Sequence, residues 1–151
     1  MDRRLLALIV CVCALLVACA GLLAHPSDEK LFLALQIERE GQVIARPRLL
    51  GASGRLLSMK LMDPDQPDRP KVDLQLLPER EGLAYRIQIQ LSLPDRAGAA
   101  LGELELGHGQ ERSLTLAERD RPVTVRILLM RVASPEFDAY MNLARRPERT
   151  S

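Results

Sequence analysis

"GLAYRIQIQLSLP" spans Gly82–Pro94, and its reading decides the fold class. Leu83, Tyr85, Ile87, Ile89, Leu91 and Leu93 alternate with Ala84, Arg86, Gln88, Gln90 and Ser92. Successive side chains of an extended chain point to opposite faces, so the first set is predicted to face a core and the second water. A strand with one dry and one wet side belongs to an antiparallel sheet. Just upstream, "KVDLQLLP" alternates Val72, Leu74 and Leu76 with Lys71, Asp73 and Gln75. The connector Pro78-Glu79-Arg80-Glu81-Gly82 is short and ends in glycine, so the two strands are predicted to form a hairpin.

The same period of two extends outward in both directions. Leu31, Leu33, Leu35 and Ile37 alternate in "LFLALQIE", and Arg39-Glu40-Gly41 turns the chain into "QVIARPRLL". Pro47 lies inside that second segment, which makes it an edge or bulged strand. Gly51-Ala52-Ser53-Gly54 leads into "RLLSMKLM", and "ELELG", "RSLTLA" and "PVTVRILLMRV" supply three further strand candidates. Met62–Pro70, "MDPDQPDRP", is proline-rich and is predicted to be an exposed loop; Asp95–Leu101 reads as a second flexible link. Glu-Arg-Glu-Gly occurs at Glu38–Gly41 and again at Glu79–Gly82, which is how polar turns built from few residue types look. Many short strands with Gly and Pro turns predict a mainly β chain, an antiparallel β-sandwich or partial barrel over residues 31–133.

The C-terminal stretch changes character. Ser134-Pro135-Glu136 is a helix start: a capping hydroxyl, a proline at the first helical position, then an acid at the positive helix end. Phe137, Tyr140, Met141 and Ala144 follow at helical spacing, Arg145 and Arg146 suit the negative end, and Pro147 stops the element. One α-helix is therefore predicted at 134–146, with a tail at 147–151. Its stripe either packs on the β domain or docks in a partner's groove, with Phe137, Tyr140 and Met141 as the candidate partner contacts.

At the other end, Leu5–Ala24 holds no charged residue and follows Arg3 and Arg4 directly. A basic start, an apolar run and small residues form the pattern of a secretory signal. As a helix the run rises ~30 Å, which also suffices to span a bilayer, so length does not separate signal from anchor. The chain's three cysteines, Cys11, Cys13 and Cys19, all lie in this segment. Leu16-Val17-Ala18-Cys19 resembles a bacterial lipobox. The resemblance implies a signal peptide at 1–18, cleavage before Cys19, and a diacylglycerol on its thiol; residues 19–30 would then be a lipidated tether. Ala20 stands where an aspartate would imply inner-membrane retention, so the implied address is the periplasm at the outer membrane. A conventional cut after Ala20 or Ala24 and an uncleaved single-span anchor are the alternatives. All three place the β domain outside the cytoplasm.

Composition narrows the rest. The chain has 151 residues and a net charge of +1, and beyond Cys19 the acids and bases balance. Nucleic-acid binding needs a concentrated basic face, so it is not expected. No cysteine follows Cys19, so stability must come from burial rather than disulfides. There is no Trp and only Phe32, Tyr85, Phe137 and Tyr140 as aromatics, which also argues against stacking platforms for sugars or single strands.

Chemistry-bearing patterns are sparse. Beyond the first segment the only imidazoles are His25 and His108, and no Gly-x-Ser-x-Gly occurs. Ser53 in "GASG" reads as a turn residue. Glu103, Glu105, His108 and Glu111 form a loose carboxylate and imidazole group, below the ligand density of a zinc site. Asp63, Asp65 and Asp68 resemble a calcium loop in composition, but Pro64 and Pro67 and the missing distal glutamate oppose it. No enzyme, cofactor or metal is expected.

"VIARPRLLGASGRLLSMKL" (Val43–Leu61) and "VDLQLLPEREGLAYRIQIQLSL" (Val72–Leu93) resemble β-rich segments of bacterial secretins, through Arg46-Pro47-Arg48, Pro78 and the alternation. The chain departs from that family in being far too short for a pore subunit and in lacking an evident set of membrane-crossing strands. The resemblance implies an envelope β domain associated with a secretion-type assembly. The expected function is thus a lipid-anchored binding or scaffold module with a protein partner in the cell envelope. A periplasmic inhibitor or sensor acting through Met62–Pro70 is the alternative.

Overall fold

A computed structural model describes residues 29–94, 97–116 and 121–145. Cys19, the signal-like run, His25, Arg146 and the 147–151 tail lie outside the described residues. The chain forms β1 (Lys30–Arg39), β2 (Gln42–Ala45), β3 (Arg48–Ala52), β4 (Leu57–Asp63), β5 (Gln66–Glu81), β6 (Ala84–Ser92), β7 (Ala99–Gly107), β8 (Glu111–Leu116), β9 (Val123–Arg131) and α1 (Pro135–Arg145).

The fold is mainly β, as the alternation predicts, with two open antiparallel sheets and one C-terminal helix. The first sheet has the order β2-β1-β9-β8, with β3 also paired to β1; the second has the order β4-β5-β6-β7. Their inner faces share one core. Leu31, Leu33, Leu35 and Ile37 of β1 and Val123, Val125, Ile127 and Leu129 of β9 meet Val72, Leu74, Leu76, Ile87, Ile89 and Leu91 of β5 and β6. Burying a side chain of this size contributes about 1.5–3 kcal/mol, which lets a chain without later cysteines hold together.

Pro47 falls between β2 and β3 on an edge of the first sheet. Its carbonyl still accepts a hydrogen bond from the Leu35 N–H at 2.8 Å, so β1 remains satisfied across the break. The β1–β2 register shifts between Ile37 and Glu38, which makes this edge bulged.

Three expectations need correction. Met62–Pro70 is not a loop: only Pro64 and Asp65 turn, and the rest lies in β4 and β5. The prolines are tolerated because β6 stops at the Asp73–Ser92 pair, so outward of it β5 is bonded only by β4. Pro67 and Pro70 therefore lose no hydrogen bond on the far side, and bulges around Met62 absorb the irregularity. Next, the β5–β6 connector is shorter than Pro78–Gly82. Pairing continues to Glu81–Ala84, and Leu83, predicted to face the core, is 92% exposed at the apex, where no strand lies opposite it. Last, the Asp95–Leu101 link is cut short, because Ala99, Ala100 and Leu101 already pair with Ser92, Leu91 and Gln90.

Candidate functional site

Glu29 stands where the chain enters β1, and it is held by both sheets. Its carbonyl accepts the Ser53 N–H at 3.1 Å. Its carboxylate accepts the Tyr85 hydroxyl at 2.6 Å and pairs with Arg80 at 3.3 Å, both on the second sheet. Arg131 of β9 lies 4.0 Å away on the first sheet. Tyr85 is buried, and desolvation, followed by the hydrogen bond to Glu29, pushes its hydroxyl up to about 12. Val132 donates to the Lys30 carbonyl at 2.9 Å, closing the same end of the molecule. Ser53, read as a turn residue, is buried as part of this clamp. Nothing in the spacing of Glu29, Ser53, Arg80, Tyr85 and Arg131 announces the cluster; only the pairing of the strands assembles it.

The helix sits on the outer face of the first sheet at this same end. Phe137 and Tyr140 meet Phe32 with ring centroids 5.3 and 5.4 Å apart, which explains why Phe32 is buried although it points away from the core. Two of the candidate partner contacts thus pack on the domain itself, and Met141 is half-buried beside them. No helix residue is fully buried, and Leu143 stays 67% exposed. The Ser134 hydroxyl accepts the Phe137 N–H at 3.2 Å, the cap read from the sequence.

His108 joins the helix rather than a metal group. Its Nδ1 accepts the Arg131 N–H at 3.0 Å, so the ring proton resides on Nε2, which donates to Glu136 at 3.1 Å. The backbone N–H of Glu136, then His108, hold the Glu136 carboxyl below its usual range. Glu111 lies instead 3.7 Å from Arg126. Asp63 accepts the Asp65 N–H at 3.0 Å, which accounts for one aspartate of the calcium-like run as turn chemistry. Among the described residues no three His, Cys, Asp or Glu gather as a metal site, and no helix is long and apolar enough to cross a membrane.

The second sheet turns an uncovered face outward. Gln75, Leu77, Gln88, Gln90, Leu101 and Leu56 border an open depression of about 440 Å³, with Leu56 and Leu101 61% and 72% exposed. Glu103 also borders it, so the lining mixes leucines, amides that both donate and accept, and one carboxylate. Comparison with family models, with curated proteins and with solved structures found no match for the chain.

Proposed function

We propose that this chain is an exported, lipid-anchored binding module of the cell envelope, an accessory or scaffold to a larger, secretion-type assembly. The observation that carries the reading is the Glu29 clamp. A domain pulled by a tether at its N-terminal end needs that end fixed to the body of the fold, and here backbone and carboxylate tie it to both sheets. Acyl chains at Cys19 would hold the domain at the membrane, each buried methylene contributing ~0.8 kcal/mol. From Cys19 to Glu29 the chain reaches at most ~35 Å, so the domain works close to the bilayer. The glutamine and leucine face of β5, β6 and β7 is then the surface for a protein partner.

Mass spectrometry of the membrane-bound protein tests the address. We expect an acylated N-terminal cysteine, and in Cys19→Ala an unprocessed, unacylated chain; a variant processed to the same product would refute the lipid anchor. The inhibitor reading keeps one supporting observation. Outward of Asp73, β4 and β5 form a two-stranded arm, exposed from Pro64 to Arg69, with Leu61 and Met62 39% and 45% exposed. In-cell photo-crosslinking from Leu101 and from Met62 separates the two: a scaffold crosslinks through Leu101, an inhibitor through Met62.

A further inference from the structure

We propose that the outer face of the first sheet carries an oxyanion site, built by Arg46, Arg48 and Arg126, that takes a phosphate group. The three guanidiniums and a single carboxylate, Glu111, line a cleft of about 180 Å³ beside the helix. Local sequence explains the cleft. The outward residues of β1 run Phe32, Ala34, Gln36, and Ala34 pairs with Arg48 on one side and Leu128 on the other. Phe32 fills the space beneath the helix, while the methyl of Ala34 leaves a hollow that Tyr140 walls off.

The arginines come from separate stretches of chain. Arg46 and Arg48 flank Pro47, whose bond to Leu35 holds both on this edge. Arg126 reaches the cleft from β9, where it pairs with Gln36 across the ladder.

The charges are poorly compensated. Arg126 has Glu111 at 3.7 Å, and Arg48 lies over the Tyr140 ring at 5.8 Å, a contact that leaves its charge in place. Arg46 has no hydrogen-bond or ion-pair partner among the described residues. The next acid on this face, Glu38, accepts the side-chain amide of Gln36. Three positive groups against one negative leave the lining at +2, the complement of a phosphate dianion. Planar guanidinium forks grip phosphate oxygens in pairs, which an ammonium does not. Volume limits the ligand: small-molecule pockets run from ~300 Å³ upward, so this cleft takes a phosphate head while the rest of the ligand stays outside.

That phosphate belongs either to a free phosphate compound or to a phospholipid headgroup. The site itself stands on this geometry; only the lipid source rests on the tether proposed above.

The test uses the full chain in maltoside micelles, following the arginine Nε–H signals by NMR. Titration with inorganic phosphate is expected to shift the Arg46, Arg48 and Arg126 signals. Arg46→Gln and Arg126→Gln should each weaken binding roughly tenfold, as loss of a charged hydrogen bond implies, and Lys71→Gln should not. Doping the micelles with phosphatidylglycerol separates the sources. Shifts without added phosphate identify a headgroup, and shifts with inorganic phosphate alone identify a free compound. No shift in either case, or equal weakening by Lys71→Gln, overturns the site. If mass spectrometry finds the native chain not acylated while phosphate still shifts these signals, the anchor is refuted and the site stands.

Discussion

Tyr85 shows what a single residue does for this domain. Its hydroxyl donates to Glu29 from a buried position, and that burial raises its pKa to about 12 against an ordinary value of 10. The folded chain keeps this proton after the unfolded chain has released it. The stabilisation is therefore fully present below pH 10 and is lost as pH rises from 10 through about 12. In a near-ultraviolet absorbance titration, Tyr85 should ionise near pH 12, and Tyr85→Phe should remove that late phase. At neutral pH the same variant should lose about 1.5–3 kcal/mol in urea, the worth of a hydrogen bond to a charged group. An unchanged titration would mean that the clamp is not formed. Glu40 is a second case. It takes φ 52° and Gly41 takes 77°, the two positive values of a type I′ turn between β1 and β2. Glutamate has no particular aptitude for the left-handed region, whereas asparagine does. Its 3.7 Å contact with Arg121 is between largely exposed groups and is worth ~0–1 kcal/mol. Glu40→Asn should therefore gain up to about 1 kcal/mol in urea denaturation; a loss would show that the Arg121 contact outweighs the turn.

Among the elements, the helix is the least secured. Aromatic contacts with Phe32 add ~0.5–1.5 kcal/mol per pair, yet none of its residues is fully buried. Its cap consequently matters more than usual. Ser134→Ala should cost about 1 kcal/mol locally, seen as faster hydrogen exchange in Pro135–Arg145 while β1 and β9 are unchanged. Uniform acceleration across the sheets would instead make the helix part of one cooperative unit. Acid should act at the same joint. The Glu136 carboxyl titrates below its ordinary value, so its contribution is present above that value and is lost as pH falls through the lowered pKa. Glu136→Gln should remove this acid-dependent part of helix exchange; an unaltered acid dependence would place its origin elsewhere. The strands and the helix are legible in the sequence because each has one wet face, and a period of two or a capped apolar stripe records it. Neighbours are not. That β1 lies between β3 and β9, or that Arg126 comes near Arg46, follows from pairing across the sheet, which local periodicity does not encode. The repeated Glu-Arg-Glu-Gly illustrates the difference. Gly41 takes the second turn position and Gly82, at φ 63°, the first, so identical residues make turns offset by one position.

At the scale of the whole molecule, the chain passes between sheets at two seams, from β3 to β4 and from β7 to β8, and each seam holds a glycine beneath leucine. A Cβ on Gly51 would come within 2.0 Å of a Leu57 methyl, and one on Gly102 within 2.4 and 2.5 Å of methyls on Leu116 and Leu114. Distances this short cannot persist, so the leucines must move, and their freedom to move decides the cost. Leu57 is half-buried at an open edge and can swing outward. Leu116 is 2% exposed within the common core, where displacement forces neighbouring side chains off their rotamers. Gly102→Ala should therefore lose ~1–3 kcal/mol and Gly51→Ala less than about 1 kcal/mol. Urea midpoints at constant slope measure both. Equal losses would mean that the two seams are equally tight, contrary to the exposure of Leu57. A neutral Gly102→Ala would mean that β8 does not close over β7, and that the two sheets are joined there by the connecting turn alone.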